Sequence, residues 1–209
     1  MSKNFCYSRR SDYFCDSKVQ TMNQKHKHEG LILGLFILFA ALSRLLPHPP
    51  NFTAVGAIAL FGGAYFSRKW LAWMVPVLAV WLSDILLNNI LYAAYYEGFV
   101  LVTKNFLFTA LALLLTVLLA RFVLKKVSAG RVAGASIGAS AIFFLTSNFG
   151  VWLISPLYPL NIGGLMASYT AGLPFFLNTL AGDLFFCGVM FGSYALISKH
   201  LLVPATAKN

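Results

Sequence analysis

Six apolar runs, at about 30–47, 51–66, 70–92, 100–124, 133–155 and 174–198, alternate with short polar joints and leave little else in the chain. A membrane span needs roughly 20 apolar residues, within a range of about 17–25. Five of the runs meet that requirement. The run from Asn51 to Phe66 is short, about 24 Å if helical. Its Ala54, Gly56, Ala57, Ala59, Gly62 and Gly63 suit close packing against neighbours, because small residues let helix backbones approach. Barrel strands of about ten alternating residues are not seen. The chain has 59% hydrophobic and 11% charged residues, against roughly 25% charged in an ordinary soluble domain. That excludes a soluble enzyme and a disordered chain. The net charge of +10 does not point to nucleic acid, since the basic residues form no binding stripe. The implied partner is the lipid bilayer.

The basic residues set a topology. All Lys and Arg except Arg44 and Lys104 fall before the first run, between the second and third, around the joint of the fourth and fifth, or after the sixth. The joints at 47–50, 93–99 and 156–173 hold none. Positive charge marks the cytoplasmic side. The expectation is an all-α polytopic protein of the inner (plasma) membrane, with six transmembrane helices and both termini cytoplasmic. Residues 1–29 read as a polar, basic, disordered leader, with Met22 expected as the true start and no secretory h-region. Residues 30–198 form the transmembrane domain, and 199–209 a short cytoplasmic tail. Cys6, Cys15 and Cys187 read as free thiols, and His26 and His28 as part of a solvated tail.

With that topology, the strongly polar groups gather in the outer halves of the helices. Arg44 and His48 end the first run; Asp84, Asn88 and Asn89 sit late in the third; Lys104 and Asn105 open the fourth. Ser147 and Asn148 come late in the fifth, and Asn178, Thr179 and Asp183 early in the sixth. Intramembrane charges cost about 2.5–3.5 kcal/mol on insertion scales and are usually paired or functional. Asp84 and Asn88 share a helix face, as do Thr179 and Asp183. Arg44 and Lys104 can neutralise the two aspartates. Two readings follow: a packing network, or a water-accessible outer pocket built from Arg44, His48, Asn51, Asp84, Asn88, Asn148, Asn178 and Asp183. The uncharged joint 156–173, with its Pro, Gly and Tyr, reads as a lid or re-entrant segment, or else as an interfacial aromatic belt, and not as helix throughout.

Catalytic motifs are weak. Residues 134–138 match G-x-S-x-G, but a nucleophile elbow needs a strand-to-helix turn and a facing His. No Walker motif, H-E-x-x-H motif or Cys/His metal spacing is present, so no catalytic site, metal site or cofactor is expected. The Asn51-Phe-Thr53 sequon abuts the membrane. Small-x-x-x-small pairs at Gly30/Gly34, Gly134/Gly138 and Gly188/Gly192 serve helix packing, within the chain or against a partner.

The stretches Arg44 to Ala57, Ala59 to Ala64, Trp81 to Asn89 and Gly172 to Asp183 resemble an uncharacterised family of bacterial six-helix membrane proteins. The resemblance covers about residues 30–198. That family is in turn more loosely similar to the substrate-binding S components of energy-coupling-factor (ECF) transporters, the solitary cobalamin-transporting ones above all. This likeness implies a six-helix bundle, an outward vitamin pocket, a small-residue surface on the first helix for a transmembrane coupling subunit, and cytosolic ATPases as further partners. The joint from Tyr92 to Gly98 lacks a cysteine or histidine to ligate cobalt, and the first helix carries Gly30/Gly34 instead of an alanine pair, so the vitamin's identity does not carry over. The expected function is a substrate-binding membrane subunit for uptake of a vitamin or other small molecule. The alternative is a non-transporting scaffold whose polar cluster only packs helices.

Overall fold

A computed structural model describes residues 30–31 and 33–201, the last three by backbone alone. The expectations for the leader, for Met22 and for the tail lie outside the described residues. Among the described residues there are six helices and no strand: α1 (Leu33–Leu45), α2 (Val55–Tyr65), α3 (Lys69–Leu86), α4 (Phe106–Val123), α5 (Ala129–Ile154) and α6 (Ile162–Leu201). Four are long and apolar enough to cross a membrane: α3 with its continuation to Leu91, α4, α5 and α6. The other two are shorter. Helix α1 measures about 20 Å and α2 about 16 Å, less than a hydrocarbon core of about 30 Å. The sequence reading of five full-length runs and one short one therefore resolves into four long helices and two short ones, α1 being the added short one.

Each long helix buries one narrow stripe and exposes apolar residues everywhere else. On α3 the buried stripe is Ala72, Pro76, Val80 and Ser83, while Trp70, Met74, Leu78 and Leu82 face outward. On α1 it is Leu33, Ile37, Ala40 and Ala41, with Leu35, Leu38 and Phe39 outside. A helix apolar all round with a small-residue inner stripe is what a hydrocarbon solvent requires, because lipid rewards no segregation of polar from apolar faces.

Helix α2 is the exception, and it organises the rest. Every residue from Val55 to Gly63 is buried. Its backbone touches its neighbours directly: Gly62 lies under Pro76 of α3, and a Cβ on Gly63 would come within 2.7 Å of Ala120 Cβ and 2.9 Å of the Val117 carbonyl on α4. Pro76 costs α3 one backbone hydrogen bond but fits flat against the Gly62 surface. At its end α2 carries Phe61 and Tyr65, which stack with Phe191 and Tyr194 of α6 at centroid distances of 4.3–5.5 Å.

Consecutive helices alternate in direction, so that α2, α4 and α6 end on the same side. Arg121, near the end of α4, donates to the carbonyl of Phe66 after α2 (3.2 Å), so the joints 66–68 and 124–128 share one end of the bundle. Arg68, Lys69, Lys125, Lys126 and Arg131 make this the basic end. The connections 46–54, 92–105 and 155–161 lie at the far end or descend from it.

Two boundaries differ from the sequence reading. Helix α6 begins at Ile162 and not near 174, and it runs 40 residues with Pro174 inside it. Most of the expected lid is thus helix: Ser168 and Tyr169 donate to the carbonyls of Asn148 and Leu145, pinning these turns onto α5 (2.9 Å each). The true connection is the stretch 155–161. Second, α3 continues into a wider π-helical stretch at Leu87–Leu91, where Asn89 bonds Val100 in both directions (2.7 and 2.8 Å) and ties down the following connection.

The close approach of α2 makes a direct prediction. Gly63→Leu should destabilise the detergent-solubilised protein by about 1–3 kcal/mol through overpacking against α4. Gly134→Leu, where an added Cβ meets nothing within 4 Å, should leave the thermal midpoint unchanged or raise it.

Candidate functional site

The polar groups singled out in the sequence form three separate arrangements. The first is a clip between α1 and α3. Arg44, in the 3-10 turn that ends α1, pairs with Asp84 at 2.7 Å, the two side chains being 12% and 20% exposed. The same guanidinium donates to Ser83 Oγ and to the carbonyl of Val80. His48 closes the clip from below, its ring nitrogens 3.2 Å from the Arg44 carbonyl and 2.9 Å from that of Pro49. Paired and hydrogen-bonded on both sides, the charges are consumed locally. His48 also borders an apolar cavity of about 460 Å³ between α1 and α6.

The second arrangement surrounds Asp183. Helix α2 starts inside the bundle, and its N-cap residue Ala54 offers no side-chain acceptor. The first N–H groups of a helix lack internal partners and need one from outside. Asp183, reaching across from α6 and 1% exposed, supplies it: its carboxyl group sits against the backbone N–H groups of Gly56 and Ala57 and accepts from Ser140 Oγ at 2.7 Å. Oδ1 rests against the amides without an ideally aligned donor. Only glycine fits at position 56, since a Cβ there would overlap the carboxyl group. One turn along, Ser136 faces Cys187, so α5 and α6 meet through two polar pairs. Ser136 lies within a continuous helix, fully buried and bonded to the Val132 carbonyl, not on a strand-to-helix turn. Gly182, the neighbour of Asp183, lets the backbone at Phe52 and Thr53 cross α6.

The third arrangement is a cavity of about 350 Å³ at the far end. Asn51, Asn105, Ser147, Asn148 and Thr179 bring polar atoms to its wall, with Phe143, Phe144, Phe175 and Phe176 between them. Asn51 comes from the connection before α2 and stands in the left-handed region at φ 63°. Asn105 precedes α4. Its Oδ1 is buried with no hydrogen-bond partner, and Gly150 of α5 packs against it. Asn148 is braced by its Nδ2 donating to the Phe144 carbonyl (2.8 Å) and by Gly172, which leaves space for the amide. Its Oδ1 accepts no hydrogen bond from the described residues. Tyr158, from the 155–161 connection, and Ser168, from the early turns of α6, complete the rim.

Of the eight residues proposed from sequence, Asn51 and Asn148 reach this cavity. Arg44, His48 and Asp84 belong to the clip, and Asp183 to the α2 cap. Asn178 donates to the carbonyl of Pro50 (2.9 Å), holding the descending connection. Asn88, in the π-helical stretch, has no hydrogen bond among the described residues and borders none of the three. Asn105, Ser147, Tyr158, Ser168 and Thr179 were not in the sequence set. Asn105, Ser147 and Thr179 carried the same outer-half signal, whereas Ser168 and Tyr158 were hidden in the segment read as a lid. No group of His, Cys, Asp or Glu among the described residues could hold a metal ion.

Two substitutions separate these roles. Asp183→Ala should lower stability by about 1–2 kcal/mol through loss of the cap, and Asp183→Asn by less, both read from thermal unfolding in detergent. Breaking the clip at one partner, with Arg44→Leu or Asp84→Leu, should cost about 3–5 kcal/mol each, and the double variant less than the sum.

No curated protein and no solved structure matches the chain. The likeness to an uncharacterised family is carried by a match, but the looser likeness to S components is not. The match extends over residues 24–206, which takes in all six helices, and the chain belongs to the family of unknown function DUF6580.

Proposed function

We propose that this protein is a multi-pass protein of the inner (plasma) membrane, with both termini cytoplasmic, that binds an uncharged small molecule of vitamin size in the far-end cavity as a step in its uptake. The observation that carries the reading is the character of that cavity: about 350 Å³, lined by amides, hydroxyls and phenyl rings, with no Asp, Glu, Lys, Arg or His in its wall. Small-molecule sites have this form, a mostly apolar hollow of about 300–1,000 Å³ with a few placed polar groups. A site without charge does not offset the desolvation of an ion, so the ligand it suits is neutral. Asn148, whose Oδ1 accepts no hydrogen bond among the described residues, offers the ligand an acceptor at the wall. Phe144, stacked against Phe176 at 5.2 Å and Tyr169 at 5.6 Å, gives a ring-bearing ligand an aromatic wall.

Uptake against a gradient needs energy from outside this chain. A transmembrane coupling subunit with ATPases is the arrangement that the S-component resemblance implies, and it is part of the proposal. The scaffold alternative accounts for the clip and the cap, which are bonded within the fold, but it gives no role to the Asn148 amide oxygen that lines the cavity without a partner.

Thermal stabilisation of the purified protein by a panel of uncharged, water-soluble vitamins and their neutral precursors tests the reading. A ligand at 100-fold its Kd adds about 2.7 kcal/mol to apparent stability. Asn148→Leu should weaken that binding about tenfold, the worth of one hydrogen bond that leaves a buried partner unpaired. Asp84→Asn, outside the cavity, should leave affinity unchanged. A panel without a stabilising member, together with purification free of any coupling subunit, would favour the scaffold.

A further inference from the structure

Another hollow opens at the basic end, away from the far-end cavity. It is a groove of about 380 Å³ between α5 and α6, with Ala129, Val132 and Ala133 on one wall and Cys187, Gly188 and Gly192 on the other. Both walls follow helical i, i+3, i+4 spacing, so the groove runs along the helices, about 16 Å from Leu184 to Ala195. Its lining is apolar or small. Gly188 and Gly192 have nothing within 4 Å of where a Cβ would stand. Packing has not filled the space, although α5 and α6 touch closely through Ser140 and Asp183 just beyond it.

The mouth of the groove is cationic. It opens at Val127 and Ser128 in the joint before α5, and Lys125, Lys126 and Arg131 flank that joint. All three are exposed. Arg131 folds back to donate to the Lys126 carbonyl (3.3 Å), Lys125 Nζ stands 6.0 Å from the Phe122 ring, and all three basic residues belong to the turn and its immediate flanks. The acids among the described residues, Asp84, Glu97 and Asp183, lie elsewhere, and none neutralises this cluster. The Ser128 hydroxyl makes no cap bond to α5.

We propose that this groove is a binding site for an anionic phospholipid, with one acyl chain between α5 and α6 and the headgroup phosphate among Lys125, Lys126 and Arg131. Charge complementarity at the mouth and the continuity of mouth and groove select that occupant: basic pockets between membrane helices hold anionic headgroups. A single alkyl chain matches a hollow of about 380 Å³ drawn out along the two helices. The site is independent of the far-end cavity.

The test uses the full chain in phosphatidylcholine nanodiscs doped with phosphatidylglycerol, with retained lipid counted by native mass spectrometry. Phosphatidylglycerol should be retained over phosphatidylcholine, and Lys125→Gln, Lys126→Gln and Arg131→Gln should each reduce that preference about fivefold. Gly188→Ile and Gly192→Ile fill the groove without touching the charges and should abolish retention. Gly134→Ile, equally open but outside the groove, should not. Equal retention of the two lipids would overturn the proposal, as would unchanged retention in the groove-filled variants. So would a dimer that Gly188→Ile disrupts, since the groove would then hold a second copy of the chain.

Discussion

A helix that begins inside an apolar bundle has no water to satisfy its first N–H groups, and the whole arrangement follows from how that need is met. Helix α2 is buried from Val55 to Gly63 and starts where no side chain of its own can cap it. Asp183 of α6 fills that role, with Ser140 of α5 holding the carboxyl group in place. One side chain thereby fixes three helices. Glycine at 56 makes room for the carboxyl group, and glycine at 182 makes room for the crossing chain. In a low-dielectric interior a polar group shared by several elements rigidifies its surroundings, and stripping it of those partners would be costly.

The same economy explains why the cavity is neutral. The buried charges at the far end are used within the fold, Arg44 with Asp84 between α1 and α3, and the neutral Asn89 amide holds the connection to α4. What remains at the wall of the hollow are amides and hydroxyls whose polar atoms are only partly satisfied. Ion pairs hold helices together here, and neutral groups stay free to exchange partners with a guest. Connections from three different joints meet at this end, so a ligand bound there would touch most of the chain's elements at once.

Much of this was legible in the residues. The apolar runs located the helices, the basic joints gave the alternation, and the shortness of the Asn51 to Phe66 run foretold a helix packed among its neighbours. The pairing of Arg44 with an aspartate followed from scarcity of charge. Other features were not legible. Pro156, Pro159 and the glycines from 163 to 172 suggested an irregular lid, yet backbone groups placed against α5 are satisfied most simply by helix, and tertiary contact overrode local propensity from Ile162 onward. Asp183 looked like a ligand group because its sequence neighbours are apolar. That it faces a helix start, and not a hollow, depends on where α2 begins in space.

The sequence by itself determined the material: helices able to cross a membrane, one basic end, and a surplus of polar groups toward the other. These are one-dimensional properties, set by hydropathy and charge along the chain. The tertiary structure alone decided which polar groups face each other and which face empty space. A side chain on a helix points in a direction that depends on the rotation and depth of that helix, and those are fixed by close contacts at Gly56, Gly62, Gly63, Gly172 and Gly182 with residues far away in the chain.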